Sequence, residues 1–151
     1  MDTKCVKIGK VLMMTQAVYA LVVSLLWITI TEVMFVSIFK GYTGQSISEA
    51  IASGSKAAEL WLITQRLVGI GLLTISILMI FVTKNGYEKN ARWSWFALLI
   101  AGTVTWLSLI GYKVATGYFD PSLSSMTFII GAILFILAIT MPAKSILAKK
   151  G

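Results

Sequence analysis

Four long apolar runs restrict the folds that this chain can adopt. They cover about 11–31, 61–83, 93–112 and 123–141. An α-helix rises 1.5 Å per residue, so about 20 apolar residues cross a hydrocarbon layer of roughly 30 Å. Each run has about that length, and the apolar content of 58% exceeds the roughly 45 to 50% usual in soluble domains. The sequence therefore predicts an integral membrane protein that crosses the bilayer four times.

The length left over after these runs limits the chain to one domain. Four spans use most of the 151 residues, which leaves an N-terminal decapeptide, three connections and a C-terminal tail. We predict a single membrane domain over residues 1–151, folded as an all-α, antiparallel four-helix bundle. The tight connection at Lys84 to Gly86 predicts that the second and third spans are neighbours.

The basic residues are distributed unevenly about the four runs. Nine lie before the first run, between the second and third, or after the fourth, whereas three lie in the other connections. The nine are Lys4, Lys7, Lys10, Lys84, Lys89, Arg92, Lys144, Lys149 and Lys150, and the three are Lys40, Lys56 and Lys113. The positive-inside rule therefore predicts a multi-pass protein of the cell membrane with both termini in the cytoplasm.

This basic inner rim also indicates partners. Each cation near a membrane surface attracts anionic lipid by about 1 kcal/mol. The lipid bilayer and its anionic head groups are therefore expected partners of a chain with a net charge of +7. A nucleic-acid partner is not expected, because no aromatic and basic platform lies outside the membrane.

The longest connection, 40–60, contains a helix-start signal. Ser46 and Glu49 have the spacing of a capping box, in which each side chain accepts a hydrogen bond from the other residue's backbone N–H. We predict a short interfacial helix that turns Ile47 and Ile51 toward the membrane and ends near Gly54.

Other local signals predict where the spans begin and end. The first span is expected to continue as helix to Phe39, beyond what the hydrocarbon requires. The residues at 84–86 tolerate positive φ and predict a turn, and Asn90 is expected to cap the third span. Asp120 and Pro121 predict the start of the fourth span, whereas Pro142 predicts its stop.

Two ionisable residues lie within or beside the apolar runs, and together they are the strongest candidate for a functional site. Arg66 and Glu32 are both expected at a shallow, outer level of the membrane. They are either an intramembrane ion pair, because an unpaired charge in hydrocarbon is costly, or separate side chains that snorkel to the head groups. A site for a transported ion or substrate is the third alternative.

Small residues form stripes on two of the spans. Such faces allow helices to approach closely, so they predict packing within the bundle or, alternatively, docking onto a partner. The candidate faces are Thr64, Gly71 and Thr74 on the second span and Ala97, Ala101, Thr105 and Ser108 on the third.

The residue types that usually carry chemistry are scarce. The chain has no histidine, and Cys5 is its single cysteine, so the usual ligand sets for haem, zinc and iron–sulfur clusters are missing. No two carboxylates are expected at one depth. We therefore predict no cofactor, no metal and no catalytic residues, and leave open whether Cys5 is modified.

One central segment resembles a known family. The stretch from Gln65 to Gly69, followed by the basic and aromatic stretch from Gly86 to Trp95, resembles small four-span prokaryotic membrane proteins of the DoxX-like kind. The resemblance implies a four-helix bundle that is sometimes an accessory part of a membrane redox system, and it carries over no active site.

Two functions are compatible with these observations. The first is a non-catalytic accessory or assembly subunit of a larger membrane complex such as an oxidoreductase, which implies other membrane subunits as partners. The alternative is a binder or transporter of a small lipophilic or charged molecule. A cavity that reaches Arg66 from outside would favour the alternative, whereas a tightly packed interior would argue against it.

Overall fold

The described part of the chain consists of helices joined by short connections. The computed structural model describes residues 3–115 and 123–148. Its elements are α1 (Thr3–Thr29), α2 (Thr31–Thr43), α3 (Ile47–Ala52), α4 (Lys56–Val82), a π-helical turn (Thr83–Tyr87), α5 (Arg92–Ala115) and α6 (Leu123–Ala148). The predicted helix start at Asp120 and Pro121 lies outside the described residues, as does the side chain of Cys5.

Four segments are long and apolar enough to cross a membrane. They are Val6–Thr29, Lys56–Tyr87, Arg92–Ala115 and Ser125–Ala148. Many of their large apolar side chains are exposed on the outside of the bundle, as expected where lipid rather than water covers the surface. The predicted all-α membrane bundle is confirmed, and the chain has the composition of a multi-pass membrane protein.

Helix α1 lies at the centre of the bundle. It contacts α6 and α4 most extensively, and α5 packs mainly on α6. Gly9 of α1 packs against Pro142 near the end of α6, so these helices are antiparallel. Small residues allow this closeness, because Ala17 and Ala138 are fully buried. The second and third spans do contact one another, as predicted, but most of this contact is made by the π turn that joins them and α4 itself touches α5 little.

The bundle has two distinct ends. The terminal end carries the start of α1, the π turn and the end of α6, where Arg92 Nη2 donates to the Leu147 carbonyl. The α3 end carries α2, α3, the end of α5 and the start of α6.

The first span does continue beyond the membrane length, but with a bend. Helix α1 ends at Thr29, Ile30 leaves helical geometry with ψ 41°, and α2 runs to Thr43, past the predicted end at Phe39. The Thr31 hydroxyl donates to the Trp27 carbonyl at 2.6 Å, so this acceptor stays satisfied at the break. The bend turns Met34 and Phe35 of α2 into the interior.

The predicted capping box is confirmed at the start of α3. The Ser46 N–H donates to Glu49 Oε2 at 2.8 Å, and the Glu49 N–H donates to Ser46 Oγ at 3.2 Å. The orientation of α3 corrects the prediction, because Ile47 is buried in a cluster with Phe39 and Leu62 instead of facing the membrane. This short helix therefore packs on α2 and α4.

The capping box should respond to pH. The backbone hydrogen bond from Ser46 favours the charged carboxylate and lowers the pKa of Glu49. A lowered pKa stabilises the fold above the unfolded pKa, and this contribution is lost as the pH falls through the folded pKa. We expect the Ser46 amide NMR shift to titrate with a midpoint below the ordinary Glu value of about 4.3. Glu49→Gln should abolish the titration, and a midpoint at or above the ordinary value contradicts the assignment.

The turn between α4 and α5 differs from the predicted one. Positive φ occurs at Asn90 (57°) and not at Gly86. Gly86 is required for space instead, since a Cβ there would lie 2.5 Å from the Ser94 Cβ. The predicted cap is also wrong, because the buried Asn90 Oδ1 has no hydrogen-bond partner.

Pro142 lies inside α6 and does not end it. Proline lacks an N–H, so the carbonyl of Ala138, four residues earlier, loses its helical donor. The Tyr87 hydroxyl donates to that carbonyl, and Trp95 Nε1 donates to the next one, Ile139, at 3.1 Å. The Tyr87 hydroxyl therefore supplies the donor that Pro142 lacks, and the Trp95 indole adds a hydrogen bond to the adjacent carbonyl in the same helix.

This arrangement makes a double-mutant cycle informative. We expect Tyr87→Phe to destabilise the protein by about 1–3 kcal/mol, because it leaves a buried carbonyl without a donor. In a Pro142→Ala background the restored N–H can bond Ala138, so Tyr87→Phe should cost clearly less. Denaturation in mixed micelles measures both costs. Equal costs in the two backgrounds would show that the hydroxyl does not substitute for the missing N–H.

Candidate ligand-binding cavity

An aromatic cluster fills the α3 end of the bundle. The Trp27 ring lies 4.7 Å from Phe35 and 5.6 Å from Phe128, measured between ring centroids. Trp61 lies 5.9 Å from Phe35 and 5.2 Å from Phe39. Phe35 and Phe39 are four residues apart and so share one face of α2, which the bend at Ile30 directs toward α4. The cluster joins α1, α2, α4 and α6.

A cavity of about 640 Å³ lies against this cluster. Its aromatic walls are Trp27, Phe35, Phe39, Tyr42, Trp61, Tyr112 and Phe128, and its polar lining is Thr43, Gln45, Ser55, Gln65 and Lys113. Trp27 is 3% exposed, whereas Tyr42 and Tyr112 are 74% and 73% exposed, so the cavity runs from the interior to the surface. Its volume falls in the range of roughly 300–1,000 Å³ usual for ligand sites.

Lys113 is a buried cation in the wall of this cavity. It is 7% exposed, and its Nζ donates to Ser125 Oγ at 2.9 Å. The same Nζ lies 4.9 Å from the centroid of the Phe128 ring, within the distance of a cation–π interaction. Lys113 belongs to the span Arg92–Ala115, where charged side chains are rare and usually functional.

Trp27 contributes a second donor at the same place. Its Nε1 is buried and has no hydrogen-bond partner. A buried donor without an acceptor costs about 1–3 kcal/mol. Trp27 and Lys113 both contact the Phe128 ring, so the indole and the ammonium flank one aromatic side chain.

The bundle below the cavity is packed around a buried amide. With its amide oriented to satisfy both neighbours, Gln16 donates to the Gly131 carbonyl at 3.0 Å and accepts from Trp106 Nε1 at 3.3 Å. A void of about 30 Å³ lies beside Gln16 and is large enough for one water. This polar contact fixes α1 and α5 against α6.

The predicted pairing of Glu32 with Arg66 is not formed in this structure. Ile28 packs against Gly69. Glu32 and Arg66 each lie about one helical turn from this contact, on the side of the α3 end, so the two residues are at a similar depth in the bundle. Both side chains are exposed, however, and the salt bridge between described side chains joins Lys56 to Glu59 at 2.9 Å. Exposure favours the alternative in which each side chain reaches the head groups.

Arg66 also stays outside the cavity. Its neighbour Gln65 lines the wall, whereas the cation in the lining is Lys113. The sequence alone counted Lys113 only among the three basic residues of the other connections and did not identify it as part of a binding site. The available signal was its position directly after the third apolar run, where a lysine is still within reach of the membrane.

The predicted small-residue packing faces are mostly on the outside of the bundle. Six of the seven positions are exposed, namely Thr64, Gly71, Thr74, Ala97, Ala101 and Ser108. Thr105 is half-buried and lines the small central void. The close approaches use other glycines, since a Cβ at Gly102 or Gly131 would lie 2.1 Å from the ring of Phe135 or Trp106.

The terminal end carries an open groove with basic residues. Lys7 and Lys10 line it together with Tyr19 and Glu88, and Lys10 Nζ donates to the Glu88 carbonyl. Cations next to an apolar helix face are what an anionic head group requires. Binding of anionic lipid at this rim remains a prediction.

Comparison with protein-family models, with curated proteins and with solved structures finds no match for this chain. The DoxX-like resemblance therefore stays an expectation from the sequence. Within residues 3–115 and 123–148, histidine, cysteine and acidic side chains form no group that could hold a metal ion.

Proposed function

We propose that this protein binds a small lipophilic molecule in the cavity at the α3 end. The observation that carries the proposal is an aromatic cavity of about 640 Å³ that reaches the surface. Its apolar walls and few polar groups are the usual features of a ligand site, in which apolar contact supplies affinity and polar groups fix orientation. Transport of the ligand is a further step that a binder at this position would support.

The packing around the cavity supports this proposal. The centre of the bundle is closely packed, with α1 against α6 and a void of only about 30 Å³. Walls without contacts on one side lose dispersion energy, so a large apolar cavity is stabilised by an occupant. This is the arrangement expected of a binder and not of a bundle packed throughout.

Tryptophan fluorescence tests the proposal. Trp27 and Trp61 line the cavity, whereas Trp93, Trp95 and Trp106 do not. A lipophilic probe brominated in its chain, added to the protein in detergent, should quench the fluorescence saturably. Replacing both cavity tryptophans by phenylalanine should remove the saturable part.

The matched control is Trp93→Phe with Trp106→Phe, which should retain saturable quenching because neither side chain lines the cavity. Quenching that rises linearly with probe in every variant would indicate partition into the micelle and would contradict a binding site.

The proposed orientation places the cavity on the extracytoplasmic side of the cell membrane. Its support is the nine-to-three distribution of basic residues about the spans. In a Cys5→Ser background, Ser48→Cys on the exposed face of α3 should react with a membrane-impermeant maleimide in intact cells. Labelling only after the cells are broken would show that the α3 end faces the cytoplasm and would contradict the proposed orientation.

An accessory subunit of a larger membrane complex, such as an oxidoreductase, is the second candidate. The observation that favours it is the exposure of the small-residue stripes of α4 and α5, which the bundle itself does not use. Such stripes allow close approach of another membrane helix. Copurification from native membranes in mild detergent should then give a stoichiometric partner, and a monomer free of partners would remove this candidate.

A further inference from the structure

We propose that the groove at the terminal end binds one anionic phospholipid. The lipid phosphate would accept hydrogen bonds from Lys7 and Lys10, and one acyl chain would lie along the apolar side of α1. This site lies at the opposite end of the bundle from the cavity and does not depend on the proposed function. It is a single defined position, whereas the basic rim as a whole attracts anionic lipid only diffusely.

The two lysines of the groove form its head-group part. Lys7 and Lys10 both line the groove and are three residues apart, so they are neighbours on the surface of α1. Lys10 is half-buried, and its Nζ donates to the Glu88 backbone carbonyl, which holds the ammonium at the groove. An ammonium has three N–H donors, so Lys10 retains donors for a phosphate oxygen. Lys7 is exposed and can bond the same phosphate.

The charge at this end favours an anionic lipid. Glu88 is the acidic residue among the described residues that line the groove, and its carboxylate forms a salt bridge with neither lysine. By sequence, the segments 1–10, 84–92 and 142–151 carry nine basic and two acidic side chains, Asp2 and Glu88. This count covers every residue of the three segments, so the excess of positive charge does not depend on where single side chains lie. Such an excess attracts anionic lipid in preference to zwitterionic lipid.

The apolar part of the groove follows the same face of α1. Val11, Met14 and Val18 line it, and their spacing of three and four residues places them in one stripe below Lys7. Val22 is exposed and continues the stripe by one more turn. From Val11 to Val22 the helix rises about 16 Å, which is about half of the roughly 30 Å of hydrocarbon. The stripe therefore has the length that one acyl chain covers within its leaflet.

Tyr19 gives the groove a fixed side wall. It lines the groove, and its hydroxyl donates to the Thr127 carbonyl of α6 at 2.9 Å. The hydrogen bond holds the ring between α1 and α6, where its apolar part can contact a bound acyl chain. A fixed wall beside the stripe defines a position for one lipid.

Native mass spectrometry in a mild detergent tests this inference. The protein is titrated with phosphatidylglycerol or with phosphatidylcholine that carries the same acyl chains. The wild type should bind one phosphatidylglycerol at least about tenfold more tightly than one phosphatidylcholine, whose phosphate is neutralised within its own head group. Lys7→Met with Lys10→Met should remove this preference and leave the affinity for phosphatidylcholine nearly unchanged.

The matched control is Lys84→Met with Lys89→Met. Both lysines are exposed at the same end and neither lines the groove, so this variant loses the same charge but should keep the preference. Lys7→Met alone separates charge from folding, because Lys7 is exposed and, unlike Lys10, donates no hydrogen bond to the described part of the fold. It should weaken phosphatidylglycerol binding severalfold by itself.

The outcomes distinguish one site from a diffuse attraction. Equal affinity for the two lipids in the wild type, or an equal loss of preference in both double variants, overturns the site. A phosphatidylglycerol with a diazirine in its acyl chain should crosslink to α1 between Val11 and Val22, and crosslinks confined to other spans also overturn it. Neither result bears on quenching of the cavity tryptophans, so failure of this inference leaves the proposed function standing.

Discussion

Gly131→Ala should destabilise the protein by about 3 kcal/mol or more, at the upper end of what overpacking costs. A Cβ at this position would lie 2.1 Å from Trp106 Cη2, and the indole cannot simply move away. Trp106 Nε1 donates to Gln16, which in turn donates to the Gly131 carbonyl. A shift of the ring would therefore also disturb the hydrogen bonds that join α1, α5 and α6.

Gly71→Ala is the matched control, since it makes the same change in another span where a Cβ meets nothing within 4 Å. The control should be neutral or slightly stabilising, because alanine favours helix by about 0.5–1 kcal/mol over glycine. Unfolding in mixed micelles measures both variants. If Gly131→Ala proves as stable as Gly71→Ala, the assigned packing of α5 on α6 is wrong.

Filling the cavity should weaken ligand binding. Ala57 and Val68 both line the cavity and are both exposed, so a double substitution to tryptophan adds two indoles to the cavity wall without changing the buried core. We expect at least about a tenfold loss of affinity for the lipophilic probe, which corresponds to about 1.4 kcal/mol. Isothermal titration measures this loss without relying on fluorescence.

The control for the filled cavity is Ala52→Trp with Leu67→Trp. These positions are also exposed but do not line the cavity. The control should bind the ligand like the wild type. Both double variants should have melting temperatures within a few degrees of the wild-type value. Unchanged affinity in a folded Ala57→Trp, Val68→Trp protein would mean that the ligand binds elsewhere.

Local sequence signals predicted those parts of the fold that depend on neighbouring residues. The spans follow from the length of each apolar run, and the start of α3 follows from Ser46 and Glu49, which are three residues apart. The donor that Pro142 lacks is supplied to α6 by Tyr87, whose hydroxyl bonds a carbonyl 51 residues distant in sequence. No local rule predicts that a tyrosine will take the place of a missing backbone N–H.

The orientation of each span could not be predicted because its faces are chemically alike. A helix that is apolar all round has no polar face to mark its outside. Thr64 and Gly71 therefore looked as suitable for packing as Gly102 and Gly131, yet the first two face outward and the last two are buried. Whether a small residue is buried depends on the aromatic ring that another helix packs against it. The sequence of one helix does not specify that ring.

The candidate site was only partly foreseen for the same reason. A cavity at this level was one of two expected outcomes, but the sequence singled out Arg66 and Glu32, and the structure places Lys113 in the wall instead. The burial of Lys113 depends on Ser125 and Phe128 of the next helix. The aromatic residues on one side of α2 were the available signal, because Phe35, Phe39 and Tyr42 follow helical spacing.

Photo-crosslinking tests the central claim, a ligand site in the cavity, most directly. A lipophilic probe with a diazirine in its chain would be bound to the protein in detergent, irradiated and mapped by mass spectrometry. The predicted crosslinks lie on the cavity walls, in α2 near Phe35 and Phe39, in α4 near Trp61 and in α5 near Leu109, and an excess of unlabelled probe suppresses them. Crosslinks spread over exposed apolar positions such as Leu78, Ile100 and Val104, and not suppressed by unlabelled probe, would contradict it.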